Sequence, residues 1–77
     1  MRVNVRLYSV LRRYAPGGSE AFELELEPGA DLALALARLD LPDKVERVVL
    51  LNGRRADPAT PLADGDVVTV FPPVAGG

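Results

Sequence analysis

Apolar and polar residues alternate in two segments near the N-terminus of the chain. In residues 2–8, Val3, Val5 and Leu7 alternate with polar or charged side chains. In residues 20–27, a second apolar series alternates with glutamates. A period of two is typical of a strand with one buried face and one solvent-facing face, so the pattern predicts two half-buried strands.

The alternating glutamates of the second strand are Glu23, Glu25 and Glu27, and they must face water. A row of like charges suits an edge strand, because it discourages pairing with another molecule. If the two strands form a hairpin, Arg2 or Arg6 can lie across from Glu23 or Glu25, and such exposed pairs contribute less than about 1 kcal/mol each. We interpret the row as a solvated face rather than an acidic binding site.

A short helix is predicted between these two strands, over residues 10–14. Ser9 is in position to act as its N-cap. The sequence Pro-Gly-Gly-Ser at 16–19 ends it.

Residues 32–39 also alternate, but their composition favours a helix over a strand. Alanine and leucine are strong helix formers, and no β-branched residue occurs in this segment. Asp31 is a suitable N-cap, and Pro42 is predicted to stop the helix. On this helix Leu34 points nearly opposite to the main apolar face, so it is either exposed or covered by a loop. The predicted apolar face consists of Leu32, Leu36 and Leu39.

The segment 47–51 is a continuous apolar run after Arg47, consistent with a strand covered on both faces. Asn52 and Gly53 follow and form the strongest short hairpin signal, with a brief return strand predicted near 54–56. Arg54 and Arg55 can form an anion site, although two arginines after a turn are more often solvated, which is our interpretation.

The final predicted strand covers residues 66–71. Asp64 and Asp66 precede and begin it as turn residues, because a calcium loop needs further ligands that are missing here. Val68 and Val70 are predicted to join the core under the helix, which leaves the intervening side chains on the other face. Those side chains are Val67, Thr69 and Phe71. Val67 and Phe71 are thus a candidate partner contact, with ordinary surface exposure of single apolar residues as the alternative.

The predicted order is strand, strand, helix, strand, short strand, strand. An early hairpin followed by a crossover helix and late strands indicates an α+β sheet with one main helix on one face. The start of this order is that of a ubiquitin-like β-grasp. In that fold the first and last strands lie parallel at the centre of a mixed sheet.

Composition excludes several classes of function. The chain has 77 residues, which predicts a single domain over 1–77, and its hydrophobic content of 48% is that of a globular protein. It contains neither cysteine nor histidine, so it lacks a thiol nucleophile, the commonest general base and the commonest metal ligands. With a net charge of −2 and no basic run, nucleic acid is not expected as a partner. No apolar stretch is long enough for a membrane, and a soluble cytoplasmic protein is expected.

The last six residues form a predicted tail, 72–77. Pro72 and Pro73 cannot donate to a strand ladder, so they take the chain off the sheet. The four residues from Val74 to Gly77 can then reach roughly 13 Å. Such a narrow, small-residue segment can place a terminal carboxylate in another protein's active site, whereas the alternative is a frayed chain end.

Residues 62–77 closely resemble the C-terminal signature of the small subunit of molybdopterin synthase, the MoaD-type sulfur carriers of the ubiquitin-like fold. The resemblance rests on the pattern L-x-D-G-D-x-V-x-x-F-P-P-V-x-G-G. The stretch Tyr8-Ser9-Val10-Leu11-Arg12-Arg13 is similar to that family's F-A-x-L-R-E segment, and Asn52-Gly53 stands where the family has a V-N-G turn. In the present chain arginine replaces the usual acidic residue at position 13, and leucine precedes Asn52 where valine is common.

The resemblance implies a carried reactant rather than an enzyme. An E1-like adenylyltransferase would adenylate the Gly77 carboxylate with ATP, and sulfur from a desulfurase or rhodanese would convert it to a thiocarboxylate. The large synthase subunit, in a heterotetramer, would take up the tail and pass the sulfur to the pyranopterin precursor of molybdopterin. No bound cofactor or metal is expected on this chain, and the catalytic groups would come from the partners. The site residues implied are Gly77 and Gly76 for the chemistry, with Phe71, Val67, Pro72, Pro73, Val74 and Ala75 for partner binding.

Three kinds of alternative remain at this point. A carrier of the same type could serve thiamine, tungstopterin or tRNA thiolation, since only the partner differs. A ubiquitin-like modifier would instead be joined to lysines through Gly77, and a plain interaction module would have a tail without chemistry.

Overall fold

The computed structural model describes residues 1–42 and 44–73 of the chain. These residues form four strands, one α-helix and two short 3₁₀ helices. The strands are β1 (Arg2–Leu7), β2 (Ala21–Glu25), β3 (Val48–Leu51) and β4 (Val67–Phe71), the helix is α1 (Leu32–Arg38), and the 3₁₀ helices are Ser9–Tyr14 and Pro16–Gly18.

The four strands form one mixed sheet in the order β2-β1-β4-β3. The two central strands, β1 and β4, run parallel, with Val5 beside Val68 and Leu7 beside Val70. The outer strands β2 and β3 pair antiparallel with β1 and β4 respectively. The predicted β-grasp arrangement, in which the first and last strands lie side by side at the centre, is confirmed.

The β1–β2 hairpin places Arg2 opposite Glu25, while Arg6 lies opposite Ala21. Arg2 therefore carries the predicted charge pairing, with nitrogen–oxygen distances of 3.2 Å to Glu25 and 3.9 Å to Glu23. All three side chains are largely exposed, so these pairs contribute little to stability. The position of β2 at the sheet edge confirms the prediction drawn from its glutamates.

A single apolar core lies between one sheet face and α1. Alternate residues of β1 and β4 contribute its fully buried centre. Burying each such valine or leucine side chain stabilises the fold by about 1.5–3 kcal/mol. On the helix the buried stripe follows the spacing i, i+3, i+7, so Ala35 belongs to it and Leu36 is only half-buried. The buried helix-side residues are Leu32, Ala35 and Leu39. Leu34 is half-buried and packs against the core.

Both ends of α1 have identifiable causes. At the start, the Asp31 carboxylate accepts a hydrogen bond from the Leu34 N–H at 2.9 Å, which confirms the predicted cap. At the end, the prediction that Pro42 stops the helix is wrong. The helix ends at Arg38, and Asp40 adopts a left-handed conformation with φ of 57°, so the chain has left the helix before it reaches Pro42.

Ser9 does not cap the helical segment that follows β1. Ser9 is the first residue of the 3₁₀ helix and has a left-handed φ of 57°, while Tyr8 occupies the cap position without a side-chain hydrogen bond. The bend that turns the chain away from the sheet uses the backbone instead, since the Leu11 N–H donates to the Tyr8 carbonyl at 3.1 Å.

Strand β3 differs from its prediction in two respects. It lies at the edge of the sheet, and all of its residues are half-buried rather than covered on both faces. Asn52 and Gly53 form the predicted two-residue turn, both with positive φ. The return strand predicted over 54–56 is reduced to one bridge between Leu51 and Arg54, on the edge of β3 that faces away from β4.

Candidate functional site

The candidate site begins where β4 leaves the centre of the sheet. Phe71 is the last strand residue, and half-buried Pro72 and Pro73 follow without strand hydrogen bonds, as predicted. The Tyr8 N–H donates to the Val70 carbonyl at 3.1 Å and thus holds β4 against β1 next to this exit. The predicted site residues Val74, Ala75, Gly76 and Gly77 lie outside the described residues.

The start of β4 is fixed by the side chains of two turns. The Asn52 amide Nδ2 donates to Asp66 Oδ1 at 3.0 Å, and the Asn52 Oδ1 accepts from the Val67 N–H at 2.9 Å. The second oxygen of Asp66 accepts from the Ala63 N–H at 2.8 Å. The predicted turn role of Asp66 is therefore confirmed, and its carboxylate joins the Asn52–Gly53 turn after β3 to the turn before β4.

Asp64 performs a similar task on the other side of β4. Its Oδ1 accepts from the Arg2 N–H at 2.7 Å, and the Gly65 N–H donates to the Arg2 carbonyl at 2.7 Å. Because both turns bind neighbouring strands, the register of β4 is set at its beginning. The same register defines the position of Phe71 at the other end of the strand.

The sheet face opposite α1 carries an apolar strip on β3 and β4. The register pairs Val48 with Phe71 and Leu50 with Thr69, so these side chains share the face on which Val67 also lies. All of them are half-buried, and none packs against the core. We call the four apolar members the outer patch: Val48, Leu50, Val67 and Phe71.

The predicted orientation of Val67, Thr69 and Phe71 away from the helix is confirmed, although Phe71 is half-buried rather than fully exposed. The sequence prediction omitted Val48 and Leu50, because the run at 47–51 was interpreted as covered on both faces. The signal was available in the same run. Once β3 is placed at an edge on the other side of β4, its alternate apolar residues must continue the face that carries Phe71.

The remainder of this face, on β1 and β2, is charged. Arg6 is exposed and lies in register with Thr69, next to the outer patch. Further out, Glu25 raises the pKa of Arg2 above its ordinary value through a hydrogen bond and its charge. The face therefore divides into an apolar half on β3 and β4 and a half with charges of both signs on β1 and β2.

The polar and charged side chains of the described residues form no buried cluster. No polar or charged residue among them is buried, and no group of three or more potential metal ligands occurs within 1–42 and 44–73. Arg54 and Arg55 are exposed beside the Asn52–Gly53 turn, at the opposite end of β4 from Phe71, so the structure does not bring them to the site. In the same part of the chain, no helix has the length and apolar character needed to cross a membrane.

A mixed sheet with parallel central strands, one helix on one face and a chain that leaves after the last strand defines a ubiquitin-like β-grasp protein. The model of the ThiS family matches residues 5–77, and the chain belongs to this family. The family is that of ThiS/MoaD-type sulfur carriers and ubiquitin-like modifiers.

Solved structures agree with this assignment. SAMP1 of Haloferax volcanii, a small archaeal modifier protein, is 27% identical with a TM-score of 0.84, and the match covers 100% of both chains. A protein of Pyrococcus furiosus described as molybdopterin converting factor subunit 1 is 27% identical with a TM-score of 0.83, over 96% of this chain and 99% of that one.

A complex of subunits 1 and 2 of the molybdopterin-converting factor from Helicobacter pylori also matches, at 29% identity and a TM-score of 0.71 over 100% of both chains. No curated protein gives a significant match to the sequence. The family and fold predicted from the sequence are thus confirmed, and the relatives include both carriers and modifiers.

Proposed function

We propose that this chain is the sulfur-carrying small subunit of a molybdopterin synthase, with the reactive sulfur borne on the carboxyl group of Gly77. Three findings support the proposal. The chain belongs to a family of sulfur carriers, its end has the pattern Phe-Pro-Pro-Val-x-Gly-Gly, and two similar structures are first subunits of molybdopterin-converting factors.

The observation that carries most weight is the route of β4. This strand is central, parallel to β1 and fixed at its start by Asn52 and Asp66, and two prolines take the chain off the sheet directly after Phe71. The segment that follows, 74–77, therefore starts from a defined point on a rigid scaffold. A carrier needs this arrangement, because its reactive terminus must reach the active sites of other proteins.

The chemistry requires activation, since a carboxylate is a poor electrophile. In the proposed first step an E1-like adenylyltransferase forms an acyl-adenylate from the Gly77 carboxylate and ATP, with release of pyrophosphate. A persulfide carried on a cysteine of a desulfurase or rhodanese then attacks the acyl carbon and displaces AMP, which gives an acyl disulfide. A thiol attacks the cysteine sulfur of that acyl disulfide, so a new disulfide forms as the oxidised product and the acyl-bound sulfur is released. The product is a thiocarboxylate, whose sulfur is a better nucleophile than a carboxylate oxygen.

In the second stage, the large synthase subunit would take up the tail and the thiocarboxylate sulfur would pass to the pyranopterin precursor. Delivery into a site shielded from water protects the activated terminus from hydrolysis. Among the described residues no polar or charged side chain is buried and no group of three or more potential metal ligands occurs, so we assign the acid and base groups to the partner. We assign docking of the partner to the outer patch and to Pro72 and Pro73, with Val74, Ala75 and Gly76 entering the partner's channel.

A second candidate function is protein modification through Gly77, and the similarity to SAMP1 favours it. Both functions begin with adenylation and differ in the nucleophile that follows, which is sulfur for a carrier and a lysine amine for a modifier. The same carrier chemistry would serve the alternative clients, which are thiamine, tungstopterin and tRNA thiolation.

Intact-mass spectrometry tests the proposal directly. The chain is incubated with an E1-like adenylyltransferase, ATP and a sulfur donor, and the expected result is a mass increase equal to exchange of one oxygen for sulfur. The modified chain, mixed with the large subunit and precursor, should then lose that increment as molybdopterin forms. An unchanged mass in the first reaction contradicts a carrier function, and conjugates to lysine in place of the exchange favour the modifier.

A further inference from the structure

The outer edge of β2 is a second candidate binding surface, because its backbone N–H and C=O groups face no other described strand. In the described part of the chain β2 pairs only with β1. The Leu7 N–H donates to the Glu20 carbonyl and the Leu26 N–H donates to the Met1 carbonyl, both at 2.8 Å. Antiparallel strands alternate their backbone groups between the two sides, so this pattern directs those of Ala21, Glu23 and Glu25 to the open edge.

A cavity of about 340 Å³ adjoins this open edge. Phe22 and Leu24 form part of its wall, because they lie on the helix side of β2, in register with the buried residues Val5 and Val3. No residue of β1, β3 or β4 lines it, so it lies between β2 and the segments packed beside it. The other principal lining residues are Tyr14, Pro16, Arg38 and Leu39. Its walls are mainly apolar, although the charged residues Glu23 and Arg38 also line it, and they suit one large aliphatic or aromatic side chain.

The negative charge along the edge of β2 favours a basic partner strand. Four exposed glutamates lie on or beside β2, and Arg2 and Arg38 offset only part of their charge. A second copy of this strand would place glutamates against glutamates, which is destabilising. A partner strand with lysine or arginine at alternate positions complements the row. The glutamates are Glu20, Glu23, Glu25 and Glu27.

We propose that the open edge of β2 and the adjoining cavity bind an extended, basic segment of a partner protein. The segment adds a fifth strand through the backbone groups of Glu23 and Glu25, a mode of recognition open to any exposed sheet edge. Its basic side chains face the glutamates, and an apolar side chain between them enters the cavity. Because β3 lies at the opposite edge of the sheet, this site and the outer patch can be occupied together. The proposal does not depend on the sulfur chemistry.

An isotope-labelled sample of the full chain tests the site by NMR. The probe is an acetylated and amidated heptapeptide, Lys-Val-Lys-Phe-Lys-Val-Lys, in which alternation places lysines opposite the glutamates. The expected result is a set of shifts in β2 and around the cavity, with slowed hydrogen exchange at the amides of Glu23 and Glu25. The same peptide N-methylated at its two inner lysines should bind much more weakly, because it cannot donate those backbone hydrogen bonds.

Variants that remove the glutamate charges test whether those charges contribute to peptide affinity. The double variant Glu23→Gln and Glu25→Gln should lower peptide affinity by about two- to thirtyfold, as expected for the loss of two exposed ion pairs. The control Glu46→Gln removes an exposed charge two residues before β3, the strand at the opposite edge of the sheet, and should leave affinity unchanged.

Three outcomes overturn the proposal. The first is unchanged exchange at Glu23 and Glu25 in the presence of saturating peptide. The second is equal binding of the N-methylated peptide. The third is a set of shifts in β2 that depends on protein concentration without peptide, which assigns the edge to a second copy of the chain.

Discussion

The side chains of Asn52 and Asp66 are joined by a hydrogen bond of 3.0 Å between Nδ2 and Oδ1, which links the turn after β3 to the residue before β4. The same asparagine binds both backbone groups of Val67, through its N–H at 2.8 Å and its Oδ1 at 2.9 Å. These hydrogen bonds join the turn at 52–53 to the turn at 63–66, at the point where β4 begins.

The Asn52–Asp66 pair should show energetic coupling. Asp66→Ala is expected to lower the free energy of unfolding by about 1–3 kcal/mol, since a carboxylate that accepts two hydrogen bonds is lost. Asn52→Gly removes the amide while tolerating the positive φ at this position. The double variant should be less destabilised than the sum of the two single variants, measured by urea denaturation. Strict additivity would show that the hydrogen bond contributes nothing, and Glu46→Ala serves as a surface control.

Leu50 and Leu51 provide a matched pair for the outer patch, because adjacent strand residues face opposite sides of the sheet. Leu51→Ala should chiefly lower stability, since Leu51 packs against the core. Leu50→Ala should chiefly weaken binding to the large synthase subunit, measured by calorimetry, because Leu50 lies on the outer face. If Leu50→Ala binds with normal affinity, the outer patch does not extend onto β3.

The two phenylalanines of the chain allow the same comparison with larger side chains. Phe22 packs against the core, whereas Phe71 lies on the outer face next to the exit of the chain. Phe22→Ala is expected to reduce the free energy of unfolding by about 1–3 kcal/mol, as for truncation of a half-buried aromatic. Phe71→Ala should reduce stability less and affinity for the large subunit more. Normal affinity of Phe71→Ala would make Phe71 an ordinary surface residue.

The Glu27–Arg38 ion pair predicts a specific acid dependence of stability. A hydrogen bond from its own backbone and the charge of Arg38, at 3.0 Å, hold the pKa of Glu27 below its ordinary value of 4.5. The ionised carboxylate therefore favours the folded state above pH 4.5, and this contribution is lost as the pH falls through the lower folded-state pKa. Glu27→Gln should thus flatten the decline of the melting temperature below pH 4.5. A decline identical to that of the parent chain would contradict this assignment, and Glu46→Gln is the control.

The proposed chemistry at Gly77 predicts that a free terminal carboxylate is indispensable. One serine appended after Gly77 should abolish the oxygen-to-sulfur exchange and leave the melting temperature unchanged, since no described core residue is altered. Enzymatic removal of that serine should restore the exchange. Thiocarboxylate formation by the extended chain would contradict a mechanism that starts from Gly77.

The sequence predicted the sheet well because its alternation is regular where a strand has one buried face. Val3, Val5 and Leu7 fixed β1, and Val68 with Val70 fixed β4. The prediction failed where one pattern suits two environments. The apolar run of β3 fits both a covered strand and an edge strand with an apolar outer face, and only its position beside β4 distinguishes them.

Local backbone conformation was the second source of error. Ser9 and Asp40 both adopt positive φ, which is uncommon for residues with side chains. At Ser9 this displaced the expected cap, and at Asp40 it ended the helix before Pro42. The cavity beside β2 was also missed, because its walls come from three segments that are separate in sequence.

The central position of β4 has a consequence for proteolysis. A cut in the exposed loop ahead of Val67 would let β4 separate, which would leave β3 without a neighbour and uncover β1 along one side. A cut after Pro73 leaves all four described strands in place. An assay of folding would therefore not detect the loss of residues after Pro73. A preparation could show native thermal melting while every molecule in it had lost the proposed carrier function.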